Sequence, residues 1–190
     1  MRASTRRKTA AICALVLLTA LVGCSTPAPP PEPTATPTTA APIFETDAEA
    51  LAAATEAYAA FSALVDTIFQ DGGAQPERIR SVASERLAQS TIADFESVAS
   101  EQIRSTGTNR FDSVTLYSLN ESAPEGIEVV TLHLCLDVSA SDVVDATGIS
   151  VAPPTRRLRT SVSVAFDWSP TEDGRLLVGA QDILNSGDSC

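Results

Sequence analysis

Apolar side chains recur every three or four positions between residues 47 and 105, and after Gly107 they alternate with polar ones. Thr46-Asp47-Ala48-Glu49 has the order of a capping box. Leu51, Ala54, Tyr58, Phe61, Val65 and Ile68 then fall on one stripe, which predicts a helix over 47–70 ended by Asp71-Gly72-Gly73. Pro76 opens a shorter helical piece carrying Ile79 and Val82. A third helix is expected over 85–105, with Ile92, Phe95, Ala99 and Ile103 on one side and Gly107 as its left-handed stop.

The alternating half predicts strands. Phe111 to Asn120 is the first, closed by a turn over Ser122-Ala123-Pro124-Glu125-Gly126. From 127 to 138, Val130, Leu132, Leu134, Leu136 and Val138 point one way, and Val129, Thr131, His133, Cys135 and Asp137 the other. Residues 142–145 and 149–152 suggest a short hairpin around Ala146-Thr147-Gly148. Leu158 to Trp168 alternates again, with Val162, Val164, Phe166 and Trp168 inward, and Asp173-Gly174 turns into a last strand over 175–184.

Helices followed by a meander of antiparallel strands is an α+β layout, with the helices covering one sheet face. That order, over nearly the whole of residues 43–190, resembles the NTF2-like superfamily, a curved sheet wrapped on a long N-terminal helix. A cystatin-like packing of helix on sheet is the alternative. Cys135-Leu136-Asp137-Val138-Ser139, then Val143-Val144-Asp145-Ala146-Thr147-Gly148 and a terminal cysteine, resemble a class of small lipoproteins of high-GC Gram-positive bacteria.

The first 23 residues have a different character. Arg2, Arg6, Arg7 and Lys8 precede an apolar run from Ala10 to Leu21, the order of a secretory signal peptide. The run falls well short of the ~20 residues that span a bilayer. Arg6-Arg7 matches the twin-arginine export signal poorly, because Lys8-Thr9-Ala10 follows where an apolar residue belongs, so general secretion fits better. Leu21-Val22-Gly23-Cys24, followed by Ser25-Thr26, resembles the lipobox of bacterial lipoproteins. The resemblance implies cleavage between Gly23 and Cys24 and diacylation of the Cys24 thiol, which holds the chain on the extracytoplasmic side of the cell membrane. Two acyl chains anchor stably where one is reversible.

Residues 25–42, rich in proline, threonine and alanine, bury no core and form an extended tether. In polyproline form it reaches on the order of 55 Å. The organisation is thus a signal over 1–23, a lipidated cysteine and tether over 24–42, and one α+β domain over 43–190. Of four cysteines, Cys13 leaves with the signal and Cys24 takes lipid, so Cys135 and Cys190 remain as a disulfide in an oxidising compartment.

Charge narrows the partners. Without the signal, nine arginines and no lysine stand against 24 carboxylates, a formal charge of −15. That argues against nucleic acid and against electrostatic docking on anionic lipid. The one basic cluster, Arg156, Arg157 and Arg159 after Pro153-Pro154, has the character of a solvated strand edge or a contact for an acidic partner.

Chemistry-bearing motifs are sparse. Serine-hydrolase, zinc-protease, phosphate-loop and dinucleotide signatures are missing from the sequence, and no cofactor or metal is expected. The best catalytic pair is His133 with Asp137, but four residues apart on a strand they sit about 13 Å from each other. His133 also shares the face of Cys135, away from the helices. Asp137, Asp142 and Asp145 fail the spacing of a calcium loop and suit turn capping. The expectation is a non-enzymatic, lipid-anchored binding or scaffolding domain with a protein partner or small ligand in the cell envelope. Its alternatives are an NTF2-like enzyme acting on a small molecule and a structural accessory subunit of an envelope complex.

Overall fold

Thr46 starts the first helix, α1 (Asp47–Gln70), with its Oγ1 accepting the Glu49 amide at 3.1 Å. The Glu49 carboxylate accepts in return from the amide of Glu45 at 2.8 Å, one residue earlier than a capping box directs. The computed structural model describes residues 42–170, 174–184 and 190; the signal, Gly23, Cys24, nearly all of the tether and Asp173 lie outside them.

Gly72 and Gly73 stop α1 in left-handed conformations, and the Gly73 amide donates to the carbonyl of Ile68 at 2.8 Å. Gly73 also lies against the second long helix, where a Cβ would stand 2.2 Å from the carbonyl oxygen of Phe95. A 3₁₀ turn (Pro76–Ser81) then buries Ile79. Val82 to Ser84 run briefly beside the last strand, exchanging the bonds Val178 N–H to Val82 O and Ser84 N–H to Val178 O. The helix α2 (Glu85–Glu101) follows. It ends at Gln102, itself left-handed at φ 57°, and not near 105 as its apolar spacing suggested. Ile103 and Gly107 therefore leave the helix: β1 (Arg104–Gly107) begins directly after Ile103 and ends on Gly107.

Four strands form an antiparallel sheet in the order β2 (Arg110–Leu119), β3 (Val130–Asp137), β5 (Arg159–Ser169), β6 (Arg175–Ile183). The expected 142–152 hairpin is only partly formed. β4 (Ser141–Val144) takes β1 as its main partner, in a separate two-stranded sheet, and its return limb adds the single bridge Val144 to Ser150. A pairing between segments so far apart in the chain has no local turn signal, which is why the period of the sequence did not reveal it.

Alternation along the sheet sets the core. Val130, Leu132 and Leu134 of β3 and Val162, Val164 and Phe166 of β5 are buried, and they join Tyr58, Phe61, Ile68, Ile92 and Phe95 of the helices in one apolar cluster. The architecture is α+β: two helices and a 3₁₀ turn against one face of an antiparallel sheet. On the opposite face Cys135 is bonded to Cys190, with Cα atoms 5.7 Å apart.

The pleat breaks once between β5 and β6. Ala165 pairs with Ala180 and Phe166 with Val178, so Gly179 is an extra residue without an opposite number, a β-bulge. Beside it, the consecutive side chains of Phe166 and Asp167 on β5 are both buried. Asp167 is gripped by Arg86 at the start of α2, through Nε at 3.1 Å and Nη2 at 3.0 Å, and accepts the Glu128 amide at 3.0 Å. Burial works to raise the Asp167 pKa, but these partners, Arg86 foremost, hold it below the ordinary value. A Cβ on Gly179 would lie 2.5 Å from both Asp167 oxygens and 2.6 Å from Arg86 Nη2.

Gly179→Ala should therefore force the clasp apart and destabilise the fold by about 2 kcal/mol, the usual cost of overpacking; chemical denaturation measures it. A smaller loss, with Asp167 still paired, would show that the bulge relaxes around a methyl group. Reduction of Cys135–Cys190 should remove roughly 4 kcal/mol, the chain-entropy value for a closed loop with a sequence separation of 55. Denaturation with and without reductant reads the difference directly.

Candidate functional site

Aromatic side chains fill much of the space between helices and sheet. Tyr58 and Phe166 are almost fully buried, Phe61 and Phe95 nearly so, and Trp168 packs against the same cluster. Tyr58 rests edge-on against Phe111, with ring centroids 4.9 Å apart, and its hydroxyl donates to Gln181 Oε1 at 3.0 Å. Burial, aided by the charge of Asp66, pushes its pKa up to about 12, so it stays a neutral donor.

Openings lie instead around the C-terminal half of α1. One is a cleft of about 350 Å³ between α1 and α2, walled by Phe61, Val65, Phe69, Leu87, Phe95 and Val98. Asp94, Asn109 and Gln181 give it a few polar atoms, the composition of a small-ligand or side-chain site. The second, about 610 Å³ and more open, lies on the next face of α1 and is lined by Ala59, Ala63, Asp66, Gln70, Thr108 and Arg110. Ser62 and Asn109 line both, so the clefts meet there.

Asp66 is the buried acid of this region, 8 % exposed. Its Oδ2 accepts the Asn109 amide at 2.9 Å and its Oδ1 the Asn109 Nδ2 at 2.7 Å. Asn109 Oδ1 in turn accepts Ser141 Oγ at 2.8 Å, which ties α1 through the β1–β2 loop to the start of β4. Asp167 has an arginine beside it; among the described residues Asp66 has no cation within ion-pair distance. Burial therefore raises its pKa, and the two bonds from Asn109 offset this only in part. Sequence reading missed Asp66. Ala59, Ala63, Asp66 and Gln70 recur at helical spacing beside the main apolar stripe, but the partner that buries the carboxylate is 43 positions away.

The sequence candidates are placed apart. His133 lies on the sheet face away from the helices and stacks on Tyr117, with centroids 4.2 Å apart and planes at 16°. Asp137 accepts the Ser139 amide and Arg159 Nη1, both at 2.9 Å, and its pKa is lowered by those partners. The two candidates thus have different partners and form no dyad. Asp142 and Asp145 bind local donors: Val143 N–H and Ser150 Oγ for the first, Thr147 and the Ile149 amide for the second. Among the described residues, no group of three or more histidine, cysteine, aspartate or glutamate side chains is placed to hold a metal ion. The basic cluster is divided as well. Arg159 bridges Asp112 and Asp137, Arg156 donates to the Ser141 carbonyl at 2.5 Å, and Arg157 makes no ion pair with the described residues.

No family model and no curated protein matches the chain. Among solved structures, it is similar to the intermembrane space region of the chloroplast protein ARC6, with a TM-score of 0.50 and 13% identity, over 70% of this chain and 95% of that one. Aln2 from a Streptomyces species superposes with a TM-score of 0.42 at 18% identity, over 73% of this chain and 91% of that one. The first likeness concerns the fold alone.

Titration of Asp66, followed by the carbon signal of its carboxyl group, should show a midpoint above the ordinary aspartate value of 3.8. Between that value and the raised one, the native state holds a proton that the unfolded chain has released. The Asp66 contribution to stability then falls as pH rises through this window and is constant above it. A midpoint at or below 3.8 would mean that Asn109 compensates the burial fully.

Proposed function

We propose that the protein is a lipid-anchored envelope protein whose domain 43–190 binds or scaffolds a partner outside the membrane without catalysing a reaction. The carrying observation is Leu21-Val22-Gly23-Cys24 behind a basic start and a short apolar run. A proline-rich tether after the cysteine and a disulfide in the domain both suit an exported, membrane-held protein. Helices first, then a bulged antiparallel sheet, support assigning the domain to the NTF2-like class. The place to bind is the apolar cleft between α1 and α2, next to an interior largely filled by aromatic side chains.

A second reading, an NTF2-like enzyme acting on a small molecule, draws on Asp66, a buried carboxylate of raised pKa beside a cleft. Both of its oxygens are held by Asn109, which favours a fixed binding group over a proton carrier.

Expression of the full-length chain in a bacterial host fed an alkyne fatty acid tests the anchor. The wild type should carry the label and sediment with membranes, and Cys24→Ala should lose the label and leave the membrane fraction. Label retained by Cys24→Ala, or absent from the wild type, would overturn the lipoprotein reading.

A further inference from the structure

The second cleft contains two charges that no described partner compensates. Asp66 is nearly buried with no cation beside it, and Arg110, exposed and lining the same cleft, makes no ion pair with the described residues. A buried carboxylate without a counter-ion is costly, and a ligand that supplies the missing charge recovers that cost. Asn109 fills one acceptor site on each Asp66 oxygen, and a carboxylate has about four, so acceptor capacity is left for a ligand. Where the cleft meets its neighbour, at Ser62 and Asn109, the walls become more apolar: Phe61, Val65, Phe69 and Phe95. A held anion, an unpaired cation on the same cleft wall and an adjoining apolar recess together match a molecule with a positive group, a negative group and an apolar side chain.

We propose that the joined clefts bind the zwitterionic end of a small apolar amino acid or a molecule of that class. The ammonium group lies at Asp66, the carboxylate at Arg110, and the side chain enters the recess between α1 and α2. This inference rests on the reading of the domain as a binding module and names the chemistry of its ligand.

Isothermal titration of the mature full-length protein tests it with four probes of one shape: L-phenylalanine, 2-phenylethylamine, 3-phenylpropionate and the neutral 2-phenylethanol. Phenylalanine should saturate with a Kd of about 1 mM, ordinary for so small a ligand, and the three others should bind at least about tenfold more weakly. Arg110→Gln should bring phenylalanine down to the level of the amine and leave the amine unchanged. Asp66→Asn should abolish binding of both. Because that variant also disturbs the Asn109 bonds, the wild type provides an independent reading. Its affinity for phenylalanine should fall on acidification as Asp66 takes up a proton. Tyr58 is coupled to Asp66, Arg110 lines the same cleft, and a phenol and a guanidinium do not change charge on the acid side of neutrality. Asp94 is the other carboxylate of the joined clefts, and the fall should persist in Asp94→Asn. Amine binding as tight as phenylalanine, or affinity constant across the acid range, would overturn the proposal. Saturable binding of 2-phenylethanol alone would overturn it too, while leaving the cleft as a binding place. No binding by any probe would remove both, and the Cys24 labelling would still decide the anchor separately.

Discussion

One charged clasp, Arg86 with Asp167, joins the start of α2, the bulged strand pair and the loop before β3 at a single carboxylate. Asp167 sits where β6 bulges against β5, Arg86 stands in the first turn of α2, and the Glu128 amide closes the loop that leads into β3. Half-buried ion pairs contribute little when one partner is mobile in water. Here the carboxylate is enclosed and bidentate, and position 179, which has no side chain, leaves room for it against the bulge. Helix position, sheet curvature and loop conformation therefore share one set of atoms. The clefts around α1 inherit their shape from that arrangement, since α2 supplies the far wall of the apolar one.

Local periodicity carried most of the architecture. α1 was legible to the residue, because Thr46, the apolar stripe and Gly72-Gly73 specify start, face and end independently. The inward faces of β3 and β5 followed from strict alternation of Val, Leu and Phe. The end of α2 was not legible: Ile103 continues the helical spacing, and Gln102, a residue with no strong preference for the left-handed region, makes the stop. Nor was the β1–β4 pair, which depends on the meeting of two segments that each lack a strand-length pattern of their own.

The candidate site was less legible than the fold. His133 and Asp137 drew attention as chemical residue types, yet each is engaged by neighbours on the sheet surface, a ring in one case and a guanidinium in the other. Asp66 drew none, since an aspartate near the end of a long helix is ordinarily solvated. Its burial arises from Asn109, brought back across α1 by the short strand that precedes it. Composition can mark a residue as able to do chemistry, but only tertiary structure decides which carboxylate is removed from water.

The Cys135–Cys190 bond has a further, mechanical consequence. β4, β5 and β6 all lie within the covalent ring it closes, and β6 is one edge of the four-stranded sheet. An edge strand is normally the first to peel away, yet this one is tied back to β3 across the strand between them. Separation from that side can proceed only as far as the slack of the ring allows. The opposite edge, β2, has two register breaks and no such tie, so the sheet resists opening unequally along its two margins. Force or thermal fraying would enter this domain from β2 inward, the margin that neither the disulfide nor the Val82–Ser84 pairing on β6 secures.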